Sequence, residues 1–158
     1  MQKIIIYLLT LILSVSNLFS AEWINNTYST MNIKDRVFLP DGSIYSNFDV
    51  SGQGTSNLEK YSVTKCSGNR IDKDGKLLEI TTICEVELTD GNKYWTKLER
   101  KGSASDAGVG TLTILGGTNK FSKLKNIKCN YAVSYFKNKI FNSRKCKVDN
   151  DLFKILKK

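Results

Sequence analysis

The chain has 158 residues, enough for one domain with a core of its own, and it contains no histidine. The lack of histidine excludes Ser-His and Cys-His nucleophile pairs, histidine-based metal sites and the usual general base near neutral pH. The formal net charge is +9. Lysine far outnumbers arginine and is scattered along the chain, apart from Lys154, Lys157 and Lys158, as is typical of an AT-rich genome. We therefore expect a dispersed basic surface and no nucleic-acid partner.

The first twenty residues have the composition of a secretory signal peptide. Lys3 supplies a positive charge, an unbroken apolar stretch runs from Ile4 to Leu13, and small and polar residues follow up to Ser20. An uncleaved membrane anchor is the alternative, but the apolar stretch is shorter than the roughly 20 residues of a spanning helix. We predict a signal peptide over 1–20, one domain over 21–158, and a periplasmic or secreted protein with no stable membrane insertion after cleavage.

Turn signals and alternating runs predict an all-β domain. Asp-Gly dipeptides at 41–42, 74–75 and 90–91 are strong hairpin marks, because glycine accepts the positive φ that such turns need. The runs between them alternate with a period of two. No crossover helices separate them, so the pattern favours an antiparallel meander, closed as a barrel or folded as a sandwich. The eight predicted strands lie near 29–38, 44–51, 58–66, 77–88, 93–101, 109–115, 127–136 and 139–148. The C-terminal segment over 152–158 is expected to fray.

The four cysteines agree with this strand map. Cys66 and Cys84 are centred on Gly75, in the second Asp-Gly turn, while Cys129 and Cys146 are centred between residues 137 and 138. Directly opposed residues of an antiparallel pair lie within disulfide range. An even number of cysteines in an exported chain favours full pairing. Of the three possible connectivities we predict Cys66–Cys84 and Cys129–Cys146.

Three segments could suggest chemistry, and each has a simpler interpretation. Glu85 and Glu87 share a strand face, which is more typical of a solvent-facing edge than of a catalytic carboxylate pair. The segment 72–75 resembles the start of a calcium loop, but Lys76 takes a ligand position and the closing glutamate is missing. The glycine-rich segment 108–120 lacks the helix of a phosphate loop, so close backbone packing explains it better. We predict no catalytic residues, no metal and no cofactor.

A resemblance to a known family begins in that glycine-rich segment. Gly110–Phe121, followed by Lys128-Cys129-Asn130-Tyr131, resembles the Gly-Gly-Thr-Gly-Lys-Phe/Tyr signature of allene oxide cyclase-like barrel proteins, and in particular small exported bacterial members of uncharacterised function. The likeness spans about residues 57–148. It implies a single antiparallel eight-stranded β-barrel, here with two disulfides. It does not imply catalysis, because the plant cyclases and the related dirigent proteins act through cavity shape and individual residues that the shared motif does not map onto this chain.

The hairpin centred between residues 137 and 138 also predicts one candidate ligand site. It pairs Tyr131 with Arg144 and Val133 with Asn142, and paired residues share a face of the sheet. The face that carries Tyr131, Val133 and Tyr135 is the more apolar one, so we expect it to form the core and to bring Arg144 inside. A buried guanidinium needs a partner, which is a ligand carboxylate or phosphate, an internal Asp or Glu, or water at an open strand end. The candidate ligand-binding residues are therefore Arg144, Tyr131, Asn142 and Tyr135.

These features lead to three functional hypotheses. The first is an exported, non-enzymatic barrel that binds a small apolar or anionic molecule. The second is a protein-interaction or inhibitor module that presents loops on a disulfide-bonded scaffold. The third is a cofactor-free cyclase or dirigent-like activity. The size of the internal cavity and the exposure of apolar patches discriminate between them.

Overall fold

The computed structural model describes residues 20–58 and 60–158, which form one closed antiparallel β-barrel of eight strands. Each strand pairs with its neighbours in the sequence, and β1 closes the barrel against β8. The predicted barrel is thus confirmed, whereas the predicted signal peptide, apart from Ser20, lies outside the described residues. The strands are β1 (Ser20–Phe38), β2 (Ile44–Ser56), β3 (Tyr61–Lys73), β4 (Lys76–Leu88), β5 (Lys93–Ala104), β6 (Ala107–Gly117), β7 (Lys128–Phe136) and β8 (Lys139–Asp149).

The first strand begins well before the predicted residue 29. The segment from Ser20 to Thr30 pairs residue by residue with β8, so it supplies the contacts that close the barrel. Trp23 in this segment is buried, and its ring packs edge-on against Tyr94 with the ring centroids 5.3 Å apart. The prediction missed this half of the strand because its polar residues, such as Asn25 and Thr27, point into the barrel.

Both predicted disulfides are confirmed. Cys66 lies directly opposite Cys84, and Cys129 directly opposite Cys146, with Cα–Cα distances of 4.0 and 4.3 Å. All four side chains are buried on the inner face of the barrel. In the first hairpin a two-residue turn at residues 74–75 combines with a register shift after Ile71, which brings the two cysteines into opposition.

One end of the barrel is closed by helical segments that the sequence analysis did not predict. A 3-10 helix (Asn119–Leu124) between β6 and β7 buries Phe121 and Leu124 completely. The segment expected to fray is instead an α-helix, α1 (Asn150–Lys157), and Leu156 on it is fully buried. Asp149 caps this helix by accepting hydrogen bonds from the backbone N–H groups of residues 151 and 152. The helix is stable because its apolar face packs on the barrel core, a tertiary contact that helical periodicity in eight residues does not reveal.

Two inward-facing glycines of β6 make room for large side chains. A Cβ on Gly108 would lie 2.3 Å from Nη1 of Arg100, and a Cβ on Gly110 would lie 2.6 Å from Cζ of Tyr131. Both distances are shorter than any side chain tolerates. The close backbone packing that the sequence analysis predicted is found at Gly110, whose Cβ would meet the backbone oxygen of Glu99, while the atoms that would meet a Cβ at Gly108 belong to side chains.

Candidate functional site

The four candidate ligand-binding residues lie together inside the barrel. Arg144, Tyr131, Asn142 and Tyr135 all line an internal cavity of about 50 Å³ at the middle of the barrel. Arg144 is only 5 % exposed and also lines a smaller void beside Trp23 and Tyr94. The inward orientation that the hairpin register predicted for Arg144 is what the structure shows. Ligand binding at these residues stays a prediction.

Arg144 has no acidic partner in the part of the chain that the structure describes. Its Nε donates a hydrogen bond to Oδ1 of Asn142 at 3.3 Å, and no described carboxylate lies within 4.0 Å of the guanidinium. Burial lowers the pKa of Arg144, while the neighbouring Tyr94 and Tyr131 raise it. Because an arginine keeps its proton even when buried, the cavity wall carries a positive charge that the described protein groups do not neutralise.

The tyrosines around the cavity are hydrogen-bond donors at physiological pH. Burial raises the pKa of Tyr131 to about 12, although the charges of Arg100 and Arg144 oppose the shift. Burial also raises the pKa of Tyr135, against the nearby Arg100 and Arg70. Both phenols therefore remain protonated. The hydroxyl of Thr64, on the same cavity wall, has no hydrogen-bond partner among the described residues. The cavity is lined mostly by apolar side chains, and the hydroxyls of Tyr131, Tyr135 and Thr64 and the cation of Arg144 are among the groups in it that can donate to an anion.

A second buried arginine was missed by the sequence analysis. Arg100 is 3 % exposed, its Nη1 donates to the backbone oxygen of Ala104 at 3.4 Å, and its Nε and Nη2 have no partner among the described groups. Its guanidinium carbon lies 5.7 Å from the ring centroid of Tyr135. The sequence contained a signal for this. One face of β5 carries Tyr94, Thr96 and Leu98, which suit a core, and Arg100 is the next residue on that face.

A third arginine near the same ring is neutralised. Arg70 donates from Nε to Oδ2 of Asp72 at 2.6 Å, and Ser105 donates to the other carboxylate oxygen at 2.9 Å. Its guanidinium carbon is 6.0 Å from the centroid of the Tyr135 ring. Asp72 therefore already binds Arg70 and Ser105. Among the described residues, neither Arg100 nor Arg144 has a carboxylate that neutralises it in this way.

The other segments that could have suggested chemistry are structural. Glu85 and Glu87 lie on the outer face. Nζ of Lys93 forms ion pairs with both carboxylates, at 2.9 Å from Glu85 and 3.2 Å from Glu87. The hydrogen bond from Lys93 lowers the pKa of Glu85, so this carboxylate is ionised at neutral pH. The segment 72–75 consists of the end of β3 and the two-residue turn to β4. Within residues 20–58 and 60–158, no group of three or more acidic or cysteine side chains could hold a metal ion.

Comparison with known proteins found no matching family model, no matching curated protein and no matching solved structure. The paired cysteines themselves indicate an oxidising, extracytoplasmic environment. In the described part of the chain, no helix combines the length and apolarity needed to cross a lipid bilayer.

Proposed function

We propose that this chain is an exported, non-enzymatic member of the allene oxide cyclase-like barrels that binds a small anion inside the barrel at Arg144. One observation carries the proposal. Among the described residues, the buried charged side chains are Arg100 and Arg144, and no buried carboxylate accompanies them. The closed eight-stranded architecture and the motif over Gly110–Phe121 support the family assignment.

The free energy of burying a charge supports the anion. An isolated buried guanidinium is costly unless it is paired and hydrogen-bonded, and the planar guanidinium group matches carboxylate and oxyanion geometry bidentately. Nε of Arg144 donates to Asn142. Because the amide is neutral, this hydrogen bond does not compensate the positive charge of the guanidinium. A bound anion compensates the charge directly, while Tyr131 and Thr64 supply neutral donors on the same cavity wall.

The volume of the cavity selects the size of the ligand. At about 50 Å³ it is far smaller than the roughly 300–1,000 Å³ of sites for drug-sized ligands. Phe48, Leu98 and Ile140 fill the space around it. A bulky apolar ligand therefore does not fit, whereas inorganic oxyanions and carboxylates of one or two carbons do. The same limit argues against a cyclase or dirigent-like activity on a large substrate.

The test compares Arg144→Met with Lys145→Met. Both variants lose one positive charge from adjacent positions of β8, but Lys145 is exposed on the outer face. Wild type and variants are titrated with phosphate, sulfate, formate and acetate, and the thermal midpoint and the heat of binding are recorded. We expect saturable binding of at least one anion to wild type and Lys145→Met, and at least tenfold weaker binding to Arg144→Met. Absence of saturable binding by all four anions, or unchanged affinity in Arg144→Met, refutes the proposal.

A further inference from the structure

The net positive charge of the chain comes from one continuous segment, in which eight charges are lysines and the ninth is Arg144, which points into the barrel. The segment from Ala107 to Val148 contains eight lysines and Arg144 but no Asp or Glu, so it carries +9, the net charge of the whole chain. The remainder has 15 basic and 15 acidic residues. This segment forms β6, the 3-10 helix, β7 and β8, which are consecutive neighbours in the barrel. Basic residues are spread along the chain, but the acidic residues that offset them elsewhere are missing from this segment.

Ion pairing shows the same asymmetry. Every lysine of β5 forms an ion pair, Lys93 with Glu85 and Glu87, Lys97 with Glu99, and Lys101 with Glu79. On β7 and β8 the lysines are Lys128, Lys139, Lys145 and Lys147, and none of them lies within 4.0 Å of a described carboxylate. The nearest acidic position across the ladder is Glu22, opposite Lys147 on β1. Lys120 of the 3-10 helix pairs with Asp90 at 3.6 Å, so among the described residues the strand lysines of this wall without a carboxylate partner are the four on β7 and β8.

The same wall exposes large apolar side chains. Val109 on β6 is 75 % exposed and Phe136 on β7 is 66 % exposed. Phe141 on β8 is also exposed and packs edge-on against the exposed Tyr28 of β1, with the ring centroids 5.6 Å apart. Lysines and aromatic rings side by side are typical of surfaces that enter the interface of a bilayer, where the rings contact the acyl boundary and the cations contact phosphate.

The wall is also concave enough to take a headgroup. An open groove of about 950 Å³ runs along it, with Ala132 and Ser143 among its short side chains. Glu22 lines the same groove opposite Lys147, and three cations outnumber it there, on Lys128, Lys145 and Lys147. Their ammonium groups can therefore surround an anionic group bound there.

We infer that the wall formed by β6, β7 and β8 binds peripherally to a membrane surface that contains anionic phospholipids. Two observations favour lipid over nucleic acid. The exposed cations of the wall are all lysines, whereas arginine is the residue preferred for bidentate recognition of nucleic-acid phosphates. The disulfides indicate an oxidising compartment, where membrane surface is always present and nucleic acid rarely is. The site is on the outer face and is independent of the internal cavity at Arg144.

The experiment is co-sedimentation of the full chain with vesicles of phosphatidylcholine, with and without phosphatidylglycerol, at low and high salt. The test variant combines Lys128→Gln, Lys145→Gln and Lys147→Gln. The matched control combines Lys65→Gln, Lys97→Gln and Lys101→Gln, which removes the same charge from β3 and β5, outside the wall. Because the apolar segment 4–13 is common to all variants, their differences report the wall alone. Far-ultraviolet circular dichroism checks that each variant is folded.

We expect wild type and control to bind the anionic vesicles in a salt-sensitive way, and the test variant to bind on the order of a hundredfold more weakly. Phe136→Ser with Phe141→Ser should weaken binding roughly tenfold, and Val63→Ser with Ile83→Ser, on the opposite side, should not. Acetylation footprinting of the wild-type chain should show Lys145 and Lys147 protected by anionic vesicles. Equal losses in test and control variants, no preference for anionic vesicles, or tight binding to duplex DNA without vesicle binding would each overturn the inference.

Discussion

Tyr131 and Arg144 lie directly opposite each other in the ladder between β7 and β8, and both side chains point into the barrel. Burial raises the pKa of the phenol to about 12 and lowers that of the guanidinium. Both groups nevertheless remain protonated at neutral pH, so each faces the cavity as a hydrogen-bond donor. The pair therefore sets the electrostatic character of the interior.

Replacing Arg144 should stabilise the protein when no anion is supplied. Arg144→Met removes a buried charge that has no described carboxylate partner, so we expect the free energy of unfolding to rise by about 1–4 kcal/mol. Urea denaturation in a low-salt buffer with a bulky buffer anion measures it. Lys145→Met, on the outer face, should change stability by less than about 0.5 kcal/mol. A large loss of stability in Arg144→Met would show that the guanidinium is satisfied by the protein itself.

Removing a disulfide should destabilise the barrel without changing the partner of the other. Cys129→Ala with Cys146→Ala opens a link between residues 17 apart in sequence, and we expect a loss of about 2–4 kcal/mol. Non-reducing peptide mapping of this variant should still recover the Cys66–Cys84 peptide and no free thiol. A peptide that joins Cys84 to Cys129 in the wild-type protein would contradict the hairpin register.

Adding a methyl group at Gly110 should be costly. The new Cβ would meet the Tyr131 ring at 2.6 Å and the backbone oxygen of Glu99 at 2.5 Å, and backbone cannot move aside cheaply. We expect Gly110→Ala to lose about 1–3 kcal/mol or more in urea denaturation. Val109→Ala, at the exposed neighbouring position, is the control and should stay within about 0.5 kcal/mol. A neutral Gly110→Ala would mean that the Tyr131 ring has space to shift.

Acid should destabilise the turn between β4 and β5 because it protonates Asp90. Desolvation raises the pKa of this carboxyl, but hydrogen bonds from Lys60 and from the backbone N–H of Asn92 outweigh it and lower the pKa to about 2. A lowered pKa in the folded state contributes stability above the unfolded pKa and loses it as pH falls. Asp90→Asn should therefore cost about 1 kcal/mol at neutral pH, and this difference should vanish between about pH 4 and pH 2. A difference from wild type that stays constant down to pH 2 would exclude this origin.

Much of the fold could be predicted because its signals are local. Alternation with period two and Asp-Gly turns located β4 to β8 closely, whereas β2 and β3 run five and seven residues past their predicted ends. The turn centres were enough to pair Cys66 with Cys84 and Cys129 with Cys146. The same register predicted that Arg144 faces inward. Arg100 could have been predicted too, since it continues the inward face of β5, but the faces of this strand were not assigned from the sequence.

The elements that sequence analysis missed depend on partners far away in the chain. Residues 20–28 of β1 are a strand because β8 lies beside them, more than 110 residues later. The helix α1 is ordered because Leu156 enters a core made by other elements. Both segments are short, and the first is also polar. Their hydrophobic periodicity is therefore too weak to predict a strand or a helix from the sequence.

By itself the sequence determined the class of strands, the positions of the turns, the disulfide pairing and the total charge of this protein. Only the tertiary structure decided that the barrel closes, that its cavity is small and bordered by an uncompensated Arg144, and that the basic segment becomes one continuous wall. The physical reason is that strand pairing and alternation act between neighbours in the chain. Cavity volume and surface potential instead depend on which side chains from all eight strands meet in space.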